Sequence, residues 1–402
     1  MECSWKVLAL LVFASLGIQY TAIKSLSMTA MSPCRDVTIK KRCQHLKGSL
    51  CEDVNPQSRT QILVFAASRS GSSFLGQLFN QNSDVVYLFE PLYHVQHMFS
   101  KAKSTIDRRS LLGAYRDLLR NLFECDFYLL ENYMNPTPKD HVVPFIFRRG
   151  ASNALCSPPV CEHLERVEES LCSKKCKRVN LTLASITCRT HKHMAIKTIR
   201  IPEIKYLRTL LEDPRLNLKI IHLVRDPRAV LFSRIYTFVD QYRAYQIWNS
   251  SGRKPHNLDL SFIQNICTDY SNSVETAFSK PSWLRGKYML VRYEDLARDP
   301  VRKANEIYNF VGLEWKENLT AWIEENTNAV VPSNVNKYTT NRNSSKTTDN
   351  WRLRLNFNIV KSVQELCRTT LSQLGYQVVD SIPQLRNLSQ SLIEPRVFLP
   401  FL

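Results

Sequence analysis

No Gly-x-x-x-x-Gly-Lys-Ser/Thr segment occurs in the 402 residues, and its absence removes the cradle in which P-loop ATPases and kinases hold a nucleoside triphosphate and its magnesium. Zinc-finger spacing and RNA-recognition signatures are missing as well, so the chain is not expected to bind nucleic acid despite its charge. Around residues 68–73 there is no set of carboxylates suited to a metal, and no metal is expected. Internal repeats and low-complexity tracts are absent. Negative charge is in deficit: 36 Asp plus Glu against 54 Lys plus Arg leave a formal charge of +18. Such an excess concentrates anionic ligands and makes their association salt-dependent.

What is present is a series of apolar runs that end in charged or hydroxyl-rich turns. Ile62 to Ala67 reads as a buried parallel strand, followed by Ser68-Arg69-Ser70-Gly71-Ser72-Ser73 and a helical stretch from Phe74 to Asn80. A strand, a tight turn and a helix N-terminus present backbone N–H groups to an anion. Gly71 permits close approach and Arg69 adds a planar fork of donors; the plainer alternative is a serine-rich helix cap. Leu218 to Val224 is a second strand, followed by Arg225-Asp226-Pro227-Arg228. Pro227 suits the first position of a helix that carries Ser233 about two turns in, so Arg225 and Ser233 can share a second phosphate. Alternatively, Arg225 and Asp226 form a surface ion pair. Val85 to Phe89 stops at Glu90-Pro91, and the residue before proline is held extended, which puts Glu90 at a strand's carboxyl end. There it is either a general base or a structural partner of arginines. Met194-Ala195-Ile196 delivers Lys197 to the same rim, where it acts in the site or simply ends a strand in solvent. In an open α/β sheet these carboxyl ends converge on one crevice.

Arg69-Ser70-Gly71-Ser72-Ser73-Phe74-Leu75 resembles the 5′-phosphosulfate motif of Golgi carbohydrate sulfotransferases, and Leu223-Val224-Arg225-Asp226-Pro227-Arg228 through Ala229, Val230, Leu231, Phe232 and Ser233 resembles their 3′-phosphate motif. Within that group the chain is most similar to the galactose and N-acetylglucosamine 6-O-sulfotransferases, above all those that sulfate galactose in keratan sulfate. Gly76 to Gln81, Tyr87 to His94, Leu130 to Tyr133, Phe147 to Ser152 and Lys287 to Leu296 carry the likeness, which runs from about Arg59 to Val379. It implies a P-loop-like α/β sulfotransferase fold with a central parallel sheet flanked by helices. It further implies 3′-phosphoadenosine 5′-phosphosulfate (PAPS) as donor and a glycan acceptor, with galactose favoured over N-acetylglucosamine or N-acetylgalactosamine. Glu90 would accept the proton of the sugar 6-hydroxyl. Arg69, Ser72, Ser73 and the turn amides would stabilise charge on the 5′-phosphate, while Arg225 and Ser233 would hold the 3′-phosphate. Arg69 stands where cytosolic relatives carry lysine; arginine stays protonated, so Lys197 or water is left as the proton donor. Two rival classes are a metal-dependent phosphotransferase and a non-catalytic binder of anionic glycans.

Val7 to Ile23 is uncharged, between Lys6 and Lys24. Its length is at the short end of the roughly 17–25 residues that span a membrane, and Ser25 and Ser27 offer a cleavage site as the alternative. The family implies an uncleaved anchor, hence a single-pass type II Golgi membrane protein: tail 1–6, anchor 7–23, stem 24–59 and luminal sulfotransferase domain 60–402. Cys34, Cys43 and Cys51 cluster in the stem, and Cys156, Cys161, Cys172, Cys176 and Cys188 midway. In a luminal chain these read as disulfides in preference to zinc ligands. With Cys3 cytosolic, the remaining cysteines are odd in number, which hints at an intermolecular bridge and a homodimer. Sequons at Asn180, Asn249, Asn318, Asn343 and Asn387 are glycosylation candidates. Helices are expected near Asp107 to Phe123, Pro202 to Leu211, Pro300 to Val311 and Phe357 to Leu374, with a strand at Lys287 to Val291. Asn135 to Arg189 reads as an insertion beside the acceptor cleft. Asn334 to Asn350 reads as a loop, either closing over ligand or merely connecting.

Overall fold

Every residue of the run Thr60–Ala66 is buried, and a segment covered on both faces is at home only inside a parallel sheet. The computed structural model describes residues 59–398 and 400, apart from 102–106, 144–145, 147, 163–168 and 329–343. Its main sheet contains β1 (Thr60–Ala66), β2 (Val85–Phe89), β3 (His193–Thr198), β4 (Leu218–Val224) and β5 (Tyr288–Arg292), in the order β2-β3-β1-β4-β5. All neighbouring pairs are parallel. The expectations for the tail, the anchor, nearly all of the stem, Cys3, Cys34, Cys43, Cys51 and Asn343 fall outside the described residues.

The helices that position the site are α1 (Ser72–Asn80), α2 (Tyr93–Lys101), α3 (Arg108–Phe123), α4 (Pro227–Thr237), α5 (Ser261–Phe278), α6 (Pro300–Val311), α7 (Glu317–Thr327), α8 (Ser344–Arg354), α9 (Phe357–Leu366) and α10 (Arg368–Leu374). Side chains alternate along β1, with Leu63 and Phe65 joining the core under α3, α4 and α5. Ile62, Val64 and Ala66 join the opposite core, under α1, α6 and α7. The neighbours β1 and β4 therefore send their following helices to opposite faces. That divergence opens a crevice beyond their carboxyl ends, the general ligand position in such sheets.

The expected bounds of β2, β4 and the helix Pro300–Val311 match the structure. Asp107 caps α3 by accepting from the Arg109 amide. Three expectations need correction. Pro202 to Leu211 holds a 3-10 turn, Ile204–Leu207, and only a short helix, Arg208–Leu211. Phe357 to Leu374 is two helices, broken at Cys367, which is bonded to Cys267. Residues 344–350, read as loop, lie in α8, which is anchored by buried Trp351 and by the Ser344 hydroxyl donating to the Ala297 carbonyl at 2.8 Å.

Disulfides join Cys125–Cys188, Cys156–Cys172, Cys161–Cys176 and Cys267–Cys367. Cys188 thus leaves the midway cluster to tie α3's end to the helix Leu181–Thr190. Among the described residues no group of three or more His, Cys, Asp or Glu side chains converges as a metal set, and no helix is long and apolar enough to cross a membrane. Of the sequons, Asn180 caps a helix, Asn249 donates to the Arg354 carbonyl from within the helix Arg243–Ser251, and Asn318 and Asn387 are exposed.

Candidate active site

The turn after β1 is shaped by its own residues. The Ser70 hydroxyl donates to the Ala67 carbonyl at 2.7 Å, and Arg69 and Gly71 take φ of 72° and 90°. Gly71 is required twice over: by its left-handed φ, and because a Cβ there would stand 2.2 Å from Cδ2 of Tyr293. No side chain caps α1 at Gly71. The first-turn amides of Ser72 and Ser73 are therefore left for an anion. Leu75 is fully buried, so only its backbone can take part.

Asp226 opens α4 as its cap, accepting from the Arg228 amide at 2.8 Å, with Pro227 in the first turn. Its carboxylate is paired with Arg228, whose guanidinium also donates to Gln364 Oε1 and lies 4.5 Å over Trp351. Arg228, Ala229, Val230 and Leu231 are fully buried, and their side chains face the core. From this motif Arg225 and Ser233 reach the crevice. Arg225 donates to the Arg69 carbonyl at 3.0 Å and the Thr347 carbonyl at 3.3 Å, with its guanidinium 4.4 Å over the Tyr293 ring. Arg69 Nε donates to Ser233 Oγ at 3.0 Å. The turn after β1 and the turn that opens α4 are thereby one connected assembly. Phe232, partly buried, packs on Tyr236.

Glu90 follows β2 and is 5% exposed, but its φ of 57° corrects the extended backbone expected before Pro91: the chain turns here, with the Tyr93 amide donating to the Glu90 carbonyl at 3.0 Å. Its amide donates to the Lys197 carbonyl at 2.9 Å, which fixes it against the end of β3. The carboxylate is ion-paired with both Lys197 and Arg200. Burial, with the Arg148 and Arg69 guanidinium groups nearby, pushes the Lys197 ammonium down to about 7. Phe89 lies beneath this cluster, with Lys197 Nζ at 4.4 Å and Arg148 Cζ at 4.6 Å from its ring centre. Arg148 belongs to the Asn135 to Arg189 segment, which in this way borders the site.

Arg200, Tyr293, Thr347 and Arg148 were not singled out by sequence reasoning. Tyr293 was within reach, because it follows β5 just as Glu90 follows β2. Arg200 lies three residues beyond Lys197, past the strand's end, where periodicity says nothing. Thr347 contributes a carbonyl, which carries no residue-type signal at all.

A family model described as "Sulfotransferase domain" matches residues 59–375. Carbohydrate sulfotransferase 1 of Rattus norvegicus is 49% identical, with all of this chain and all of that protein covered. Carbohydrate sulfotransferase 3 of Mus musculus is 41% identical over 84% of this chain and 72% of its own length. Among solved structures, the sulfotransferase domain of the Synechococcus PCC 7002 olefin synthase is similar at 16% identity and a TM-score of 0.38, covering 80% of this chain and 97% of that one.

Proposed function

The chain belongs to the sulfotransferase-domain family, and from that premise we propose its reaction: direct transfer of a sulfuryl group from PAPS to the primary 6-hydroxyl of galactose in keratan sulfate or related N-acetyllactosamine glycans. The observation that carries this reading is the joining of two anion-binding turns through Arg69 and Ser233. A donor with phosphates at two separate positions fits such a pair, whereas a single-phosphate ligand would use one. The uncapped start of α1 and the Cβ-free approach at Gly71 suit the 5′-phosphosulfate, and Arg225 suits the 3′-phosphate.

When bound, PAPS supplies the sulfuryl group. A sulfur–oxygen bond forms to sugar O6, the bond to the 5′-phosphate oxygen breaks, and adenosine 3′,5′-bisphosphate leaves. Glu90 takes the hydroxyl proton, a service worth about 10²–10⁴-fold. One of its two ion pairs must open for that transfer. Arg69 and the α1 amides stabilise charge growing on the departing phosphate. Lys197, with its ammonium pushed down to about 7, is the nearest group able to exchange a proton with Glu90 near neutrality.

Placement in the Golgi lumen behind an N-terminal anchor belongs to the same proposal and is supported by the four disulfides, which persist in oxidising compartments. The test supplies labelled PAPS with desulfated keratan sulfate, chondroitin and N-acetylglucosamine-terminated oligosaccharides and locates the sulfate by NMR. Label on galactose C6 is expected. Label on N-acetylglucosamine or N-acetylgalactosamine would keep the mechanism and replace the acceptor, and absence of label from every sugar would overturn the reading.

A further inference from the structure

Arg292-Tyr293-Glu294-Asp295 closes β5 and opens the short helix Tyr293–Arg298. Arg292 and Asp295 pair with each other, and the Tyr293 ring lies against the Arg225 guanidinium. Glu294 is 1% exposed and, among the described residues, has no ion pair. A carboxylate so placed is costly unless its oxygens are satisfied. One oxygen accepts from the Asp226 amide at 3.1 Å and the other from the Tyr376 hydroxyl at 2.8 Å. Burial and the Asp226 carboxylate push the Glu294 carboxyl up, while the Arg225 guanidinium and these two hydrogen bonds act the other way.

The amide that Glu294 holds has no acceptor within its own helix. A helix satisfies its cap amide locally when a Glu or Gln at the third helical position reaches back to it. In α4 the cap is Asp226 and the third position is Ala229, whose methyl group accepts nothing. The Asp226 carboxylate is itself committed to the Arg228 amide and guanidinium. Glu294 supplies the missing acceptor from the end of β5. It thereby fixes the backbone one residue beyond Arg225, and from that point the Arg225 side chain runs to the Arg69 and Thr347 carbonyls. The turn after β1 is shaped separately, by the Ser70 hydroxyl on the Ala67 carbonyl and by Gly71. Glu294 therefore bears directly on the turn that carries Arg225 and not on the one that carries Gly71.

Resting on the reading of the chain as a PAPS-dependent sulfotransferase, we propose that Glu294 is a positioning residue for the donor's 3′-phosphate: held by the Tyr376 hydroxyl, it fixes the Asp226 amide and so sets where Arg225 meets that phosphate.

The experiment titrates adenosine 3′,5′-bisphosphate and adenosine 5′-monophosphate, which differ by the 3′-phosphate, into the full chain by calorimetry. The proteins are wild type, Glu294→Ala, Glu294→Gln and Tyr376→Phe, with melting curves to establish folding. Loss of a hydrogen bond to a charged group is worth roughly 10–100-fold. In Glu294→Ala the affinity for the bisphosphate is expected to fall by that order, and the affinity for the monophosphate to change by less than about threefold. Glutamine at 294 can still accept from the Asp226 amide and can donate to the Tyr376 oxygen, so Glu294→Gln is expected within about threefold of wild type for both ligands. Tyr376→Phe removes one hydroxyl and should weaken the bisphosphate alone by about threefold or more; it carries the test if Glu294→Ala does not fold. Equal losses for the two ligands, an unchanged bisphosphate affinity, or a Glu294→Gln variant as weak as Glu294→Ala would overturn the proposal. Wild type binding both ligands equally would overturn the donor reading itself, and the role of Glu294 with it.

Discussion

Arg69 Nε and Ser233 Oγ are 3.0 Å apart, a bond that spans 164 positions of sequence and ties the turn after β1 to the second turn of α4. Replacing Ser233 with alanine should raise the KM for PAPS about tenfold, and combining it with Arg69→Ala should cost less than the sum of the two single losses by about 0.5–1.5 kcal/mol. Titration of adenosine 3′,5′-bisphosphate into the four proteins of the cycle measures the coupling. Strict additivity would show that the bond transmits nothing between the two turns.

Gly71→Ala should be far more damaging than its size suggests. The new Cβ meets Tyr293 and the residue is held at φ of 90°, so the turn must rearrange. Donor binding should fall by more than about tenfold, while the melting temperature moves by only a few degrees because the strain is local. Adding Tyr293→Ala should recover part of the lost affinity; no recovery would assign the whole effect to backbone angle.

Glu90→Gln should lower kcat by about 10²–10⁴-fold with affinity for adenosine 3′,5′-bisphosphate retained. It also strips Lys197 and Arg200 of their shared counter-ion, and breaking a buried pair from one side costs about 3–5 kcal/mol. A drop in thermal stability should therefore accompany the loss of turnover. Normal kcat in a destabilised protein would make Glu90 a structural carboxylate, the alternative that the sequence left open.

Acid should weaken the fold through its buried histidines. His222 accepts or donates at 2.7 Å with the Tyr288 hydroxyl, and burial pushes its imidazolium down to about 3. An unfolded histidine binds its proton near 6.5. Between those values the unfolded chain carries more protons, so stability is lost as pH falls from about 6.5 toward 3. At pH 5 the loss from His222 alone is about 2 kcal/mol. His94, pushed down to about 4, acts in the same direction. Melting curves from pH 7 to 5 should show the decline, and His222→Gln should flatten it; an unchanged slope in that variant would place the titration elsewhere.

The sheet was legible because four of its five strands hold a short apolar run in which nearly every side chain is buried, a pattern that needs no partner information to recognise, whereas β3 showed only Met194-Ala195-Ile196 between polar ends. The turns were legible because serine, glycine and arginine after such a run have few other uses. What stayed hidden depends on contacts between distant segments. Ser344 to Arg354 has a polar composition typical of a loop and becomes helical because Trp351 finds the Arg228 guanidinium. Cys367 interrupts a continuous amphipathic pattern because its partner Cys267 lies on another helix. Arg200 belongs to the Glu90 cluster by spatial proximity alone.

The carbonyl of Thr347 accepts from Arg225, and Trp351 of the same helix covers Arg228. The final segment brings no strand to the main sheet, yet it supplies a carbonyl to Arg225 and a ring to Arg228. All five strands lie before Val311, so the segment that steadies the two arginines following β4 is remote in sequence from the sheet that presents them.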